Sequence, residues 1–205
     1  AVTPFAAVVR TITMDGLSSK GSDYAVPNNV SANTLAINGL SEGDDVNLYV
    51  YPSQQADVTV SWTDGTGTKN TNQQTLEANR VSVIDLGSVP KSATGLTISA
   101  TEPVTAAAKV TNDGDGDQAD FALVNASVPM NVSAIAVPDH ATAQVSVTNT
   151  SDDDRTATLT SYNGDGDIVE QSDLTIRAGD STTIEFAYIN DGDVAAVSLA
   201  DPDQS

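Results

Sequence analysis

The chain repeats itself at an interval of about one hundred residues, and that period limits the fold more than any single motif does. Trp62-Thr63-Asp64-Gly65 aligns with Tyr162-Asn163-Gly164-Asp165, Leu76-Glu77-Ala78 with Ile176-Arg177-Ala178, and Ile84-Asp85-Leu86 with Ile184-Glu185-Phe186. One deletion brings Ile98-Ser99-Ala100-Thr101-Glu102-Pro103 onto Val197-Ser198-Leu199-Ala200-Asp201-Pro202. On the N-terminal side, Ser22-Asp23-Tyr24-Ala25 resembles Ala119-Asp120-Phe121-Ala122, and Pro27-Asn28-Asn29-Val30-Ser31-Ala32 resembles Pro129-Met130-Asn131-Val132-Ser133-Ala134. Several matches in one order point to a duplication of a unit of about 100 residues.

What the unit is made of follows from its periodicity. Val46-Asn47-Leu48-Tyr49-Val50-Tyr51, Val58-Thr59-Val60-Ser61-Trp62 and Val81-Ser82-Val83-Ile84-Asp85-Leu86 alternate or cluster β-branched and aromatic residues. So do Leu96-Thr97-Ile98-Ser99 and Thr182-Thr183-Ile184-Glu185-Phe186, the pattern of half-buried strands. Asp-Gly, Asn-Gly and Ser/Asp/Pro clusters separate them as turns do. No window carries an apolar stripe at 3.6 spacing. The expected fold is all-β: two tandem immunoglobulin-like antiparallel β-sandwiches, each of about seven short strands. The chain has no cysteine, so the sandwiches belong to the disulfide-free type, and thiolate metal sites and cysteine nucleophiles are excluded. Trp62, Tyr162, Leu76 and Ile176 are expected to pack in the cores.

The boundaries of the units carry a consequence. One frame cuts the chain into 1–102 and 103–205, but it slices an expected hairpin running from Thr97-Ile98-Ser99-Ala100 to Pro103 and Val110, and tight hairpins stay within one sheet. Cutting at the Pro-Asn-Asn and Pro-Met-Asn segments makes 28–128 a complete sandwich and leaves 129–205 short of its last strand. Thr3-Pro4-Phe5 and the Ala/Val run up to Thr11 match Glu102-Pro103-Val104 and its continuation, with Arg10 as the counterpart of Lys109. Residues 1–27 are therefore expected to close a sandwich begun by 129–205, in the same chain or a neighbouring subunit. An unclosed sandwich exposes edges that proteins cover or use for strand addition.

Charge narrows the partners. The net charge is −20, from 28 acidic and 8 basic residues. Residues 1–102 hold ten acids and five bases, a net −5, whereas 103–205 hold eighteen acids and three bases, a net −15. A field of that sign repels nucleic acid and anionic lipid. It suits solubility, cations, high salt or a basic partner. Apolar runs are shorter than ten residues, so no membrane insertion is expected. No signal-peptide pattern opens at Ala1-Val2-Thr3-Pro4-Phe5.

The run Glu102-Pro103-Val104 with its Ala-rich strand, Asp120-Phe121-Ala122, and the strand–turn–strand units before Leu76-Glu77-Ala78 and Ile176-Arg177-Ala178-Gly179 resemble an uncharacterised family of actinobacterial envelope proteins. That family carries tandem immunoglobulin-like units, usually after an N-terminal membrane anchor. The resemblance implies an extracytoplasmic location and supplies no catalytic residues. The chain departs from it in showing no anchor and in its acidity, which also suits a halophile's surface protein.

The acidic loop Asn112-Asp113-Gly114-Asp115-Gly116-Asp117-Gln118-Ala119-Asp120 invites comparison with a calcium loop. Counting from Asp113, a Ca²⁺ loop of EF-hand type wants Gly at position six and Glu at twelve, where this chain has Gln118 and Val124. From Asn163 the same positions hold Ile168 and Leu174. The expectation is an Asx-Gly turn, with a weak Ca²⁺ site at Asp113, Asp115, Asp117 and Asp120 as its alternative. The sole histidine, His140, has no nucleophile elbow or partner motif beside it, so a solvated loop residue is expected. Some surface sandwiches link Lys covalently to Asn, but the repeat counterpart of Lys109 is Arg10, which cannot do that chemistry, so Lys109 reads as a snorkelling strand lysine. Asn29, Asn125, Asn131 and Asn149 open glycosylation sequons. The expectation for function is a non-catalytic cell-surface structural or interaction module with no cofactor, binding a protein or cell-envelope partner. Its alternatives are a head-to-tail filament subunit self-associating through residues 1–11, and a carbohydrate-binding module.

Overall fold

The computed structural model describes residues 9–15, 18–25, 30–40, 43–64, 66–88, 95–112, 120–129, 132–136, 143–186, 194 and 196–200. The strands are β1 (Val9–Asp15), β2 (Ser18–Ala25), β3 (Ala32–Asn38), β4 (Asp45–Pro52), β5 (Ala56–Thr63), β6 (Lys69–Leu76), β7 (Ser82–Ser88) and β8 (Gly95–Asn112). They continue as β9 (Asp120–Asn125), β10 (Val132–Ala136), β11 (Ala143–Thr148), β12 (Arg155–Tyr162), β13 (Ile168–Ile176), β14 (Ser181–Phe186) and β15 (Ala196–Ala200). Every ladder is antiparallel. The protein is all-β, with no helix among the described residues.

β8 organises the first half. It pairs with β5 up to Ala100 and with β3 as far as Val104, which lies opposite Ala32; from Val104 onward it pairs with β4, and from Ala107 with β9 on the other side. β6 extends the first group beyond β5, and β7 the second beyond β4. This corrects the hairpin expected across residues 97–110, because Thr97 and Val110 lie on one continuous strand. Glu102-Pro103 resembles a turn in sequence, but Pro103 falls where β8 exchanges neighbours, so its missing N–H removes no ladder bond. Both groups turn their apolar faces onto one core. Leu35 and Ile37 of β3, Leu48 of β4, Val60 of β5 and Ile98 of β8 are completely buried there. Each side chain of this kind contributes about 1.5–3 kcal/mol by leaving water.

The second half uses the same neighbours. β10, β15, β12 and β13 lie in that order, as β3, β8, β5 and β6 do, and β11 pairs with β14 as β4 pairs with β7. Burial differs at matching positions among the described residues. Leu48 faces Ile84 across β4 and β7, and both are buried. Val145 faces Ile184 across β11 and β14, and both are only half-buried. No strand stands on the other edge of β11 among the described residues, where β8 flanks β4. β1 and β2 pair with each other and form a separate two-stranded sheet.

The registers revise the alignment in detail. Thr63 pairs with Lys69 and Tyr162 with Ile168, so Tyr162 takes the place of Thr63, and Ser161 that of Trp62. The offset runs along the whole strand, since Arg155 pairs with Ile176 where Ala56 pairs with Leu76; a β-bulge at its end passes over Val169 of β13 between Glu170 and Ile168. Tyr162 is thus half-buried with its hydroxyl 3.2 Å from Ser198 Oγ, rather than packed in a core. Trp62 lies partly buried against the first core, while Leu76 and Ile176 are buried as expected. On the last strand, Leu199 pairs with Leu159 as Ile98 pairs with Val60. Val197, which the sequence sets against Ile98, lies two residues away on the same face. A two-residue slip preserves which face is apolar.

Candidate functional site

Two hairpin tips share one piece of chemistry. At the β5–β6 turn, Asp64 Oδ1 accepts the N–H groups of Thr66 and Thr68, both at 3.0 Å, and the Thr66 hydroxyl at 2.7 Å. Asp64 N–H donates to the Thr68 carbonyl, and Gly67 N–H to the Asp64 carbonyl. At the β12–β13 turn, Asn163 Oδ1 accepts the N–H groups of Asp165 and Asp167 at 3.0 and 2.8 Å. Gly166 N–H donates to the Asn163 carbonyl. Gly67 and Gly166 have φ of 80° and 87°, which closes such a loop with a left-handed residue. The side-chain bonds hold the Asp64 carboxyl below its ordinary pKa, the Thr66 hydroxyl first and the Thr68 and Thr66 N–H groups after it.

These oxygens are engaged in turn bonds. Asp165, Asp167 and Glu170 point into solvent, and among the described residues no three His, Cys, Asp or Glu side chains converge as a metal site would require. Asp113, Asp115 and Asp117 lie outside the described residues. Asp120 opens β9, with its backbone opposite Asn112. His140 also lies outside the described residues.

Among the described residues, the outer face of β7, β4 and β8 carries exposed apolar surface. Tyr49 and Tyr51 are 39% and 41% exposed, and Val81 and Val83 are 56% and 53% exposed. Alternation on β4 places them: Val46, Leu48 and Val50 turn inward, which leaves Asn47, Tyr49 and Tyr51 outward. Register brings Val83 and Ala107 beside Tyr49, and Thr105 beside Tyr51. Tyr51 donates its hydroxyl hydrogen to Asn79 Oδ1 at 3.3 Å. One step along, Asp85, Asn47 and Lys109 form a polar row across the three strands. Sequence reasoning placed Trp62 and Tyr162 in cores, gave Tyr49 and Tyr51 no role, and missed this face. Strict alternation of residues 46–51 was the signal that could have found it.

Of the sequons, Asn149 is spoken for by the fold. It is 6% exposed; its Nδ2 donates to the carbonyls of Asp153, Ile176 and Arg177 at 2.8, 3.0 and 3.2 Å, and its Oδ1 accepts from Ser151. Asn125 is exposed at the end of β9, and Asn29 and Asn131 lie outside the described residues. The two halves meet through polar contacts. Thr148 Oγ1 donates to Asn38 Oδ1, and Thr63 Oγ1 donates to the Gly179 carbonyl at 3.0 Å.

The model of a family of unknown function (DUF5719) matches residues 1–187. No curated protein matches the chain.

Proposed function

Because the chain belongs to this family of unknown function, we propose from its architecture that it is a non-catalytic structural or interaction module of the cell surface. The reading takes residues 28–128 and 129–205 as tandem immunoglobulin-like β-sandwiches. The observation that carries it is the recurrence of one strand order, β3-β8-β5-β6 and then β10-β15-β12-β13. End-to-end repetition of one strand plan makes a spacer or a platform with little geometric demand on any single side chain. An acidic, lysine-poor surface suits solubility and contact with cations or a basic partner outside the cytoplasm. Protease treatment of intact producing cells tests the location. The chain should be cut without lysis; protection until lysis would overturn the assignment.

A second reading, carbohydrate binding, is favoured by Tyr49 and Tyr51 on one exposed face beside the row of Asp85, Asn47 and Lys109. Tyrosine rings give apolar contact with a polar tip, and the row offers donors and acceptors to hydroxyl groups. Glycan-array binding that disappears in Tyr49→Ala would support it, and an array without binding would remove it.

A further inference from the structure

We infer that the free edge of β11 is an acceptor for the β1–β2 hairpin of a second copy of this chain. The inference rests on reading the two strand groups as one plan. In the first group β4 is flanked by β8, which carries β9 on its far side. In the second group β11 has β14 on one edge and no strand on the other among the described residues. Val145, Val147 and Ile184 are only half-buried, while Leu48, Val50 and Ile84 at the matching register positions are buried. The missing neighbour is a strand with a second strand behind it.

The chain holds such a hairpin. β1 and β2 pair antiparallel like β8 and β9, and they pair with nothing else among the described residues. An isolated two-stranded hairpin is marginal in water. Arg10 faces Tyr24 as Lys109 faces Leu123. In the template Lys109 stands opposite Asn47, so a docked β1 sets Arg10 opposite Gln144. Residues 1–27 hold two acids and two bases, a net charge of zero. The hairpin therefore adds no repulsion to residues 129–205, with fourteen acids and two bases.

The tether selects a second copy over the chain's own hairpin. Six residues, 26–31, join β2 to β3, and six, 126–131, join β9 to β10. A donated hairpin therefore reproduces between copies the junction already present within one chain. The tether enters β3 at Ala32, whereas Thr148 of β11 meets the first half at Asn38, the far end of the same strand. A head-to-tail contact of this kind does not close on itself and extends into a chain of copies.

Cysteine pairing tests the inference, since the chain has no cysteine of its own. Directly opposite residues on antiparallel strands lie within disulfide reach. One full-length chain carries Arg10→Cys and another carries Gln144→Cys, each checked by its melting curve. Mixed and oxidised, they should shift from monomer to a heterodimer in excess over either homodimer. The double variant should give a ladder of covalent multimers. An intrachain disulfide in the double variant, with no heterodimer from the mixture, would assign the edge to the chain's own hairpin and overturn the inference. Free thiols in both experiments would remove the pairing altogether. Either failure leaves the cell-surface reading standing, because protease treatment of intact cells tests it separately.

Discussion

Leu48 faces Ile84 as Val145 faces Ile184, yet only the first pair is wholly buried. All four side chains are aliphatic, so residue type does not account for the difference. β8 covers the edge of β4, and no described strand covers that of β11. Leu48→Ala should therefore destabilise the first half by about 2–5 kcal/mol. Val145→Ala removes less surface from a half-open site and should change stability by about 1 kcal/mol or less. Urea unfolding of both variants measures the contrast.

At Asn149 one amide serves three carbonyls, those of Asp153, Ile176 and Arg177. Asn149→Ala leaves those acceptors without their donor and should destabilise the second half by about 1–3 kcal/mol. Expression in a glycosylating host should leave Asn149 unmodified because its amide is buried. Mass spectrometry of the peptide containing it reads the outcome.

Asp64 links the β5–β6 turn to pH. Its hydrogen bonds lower the carboxyl pKa below the ordinary value of 3.8, so the folded state binds the proton less tightly than the unfolded state does. The stabilisation is present above 3.8 and is lost as pH falls through the depressed folded value. Asp64→Asn keeps a side-chain oxygen for the turn, as Asn163 does, but removes the titration. Wild type should melt higher than Asp64→Asn at neutral pH, and the gap should shrink in acid below the folded pKa.

The strand segments and the tight turns were legible in the sequence, because β-branched alternation and Asx-Gly pairs act locally. Register was not. The two-residue offset between Val197 and Leu199 leaves the same face apolar, so hydrophobic pattern cannot detect it. Glu102-Pro103 was misread for a related reason: a proline at a change of strand partners looks like a proline in a turn. The turn glycines were also displaced. Asp64-Gly65 and Asn163-Gly164 mark the hairpins, but the left-handed residues are Gly67 and Gly166. The exposed pair Tyr49 and Tyr51 escaped notice because aromatics are mostly core formers, and only the inward set of Val46, Leu48 and Val50 fixes them outside.

The junction between the halves depends on a missing side chain. A Cβ on Gly95 would come within 2.9 Å of Asn38 Oδ1 and the Ile37 carbonyl, and would overlap Thr148 Oγ1. Gly95→Ala should destabilise by about 1–3 kcal/mol through overpacking. Combining it with Thr148→Ala should recover part of that loss. A double-mutant cycle on thermal unfolding reads the coupling, which is absent if Thr148 does not touch Gly95.

Amide hydrogen exchange along β4 and β11 tests the central claim, that one strand plan is complete in the first half and open in the second. In dilute solution the amides of Leu48 and Tyr49, which point to opposite edges of β4, should both be protected close to the level of global unfolding. The β11 amides that point away from β14 should exchange much faster and gain protection as protein concentration rises. Equal, concentration-independent protection of β4 and β11 would contradict the account, since it would mean that β11 already has its second neighbour within the single chain.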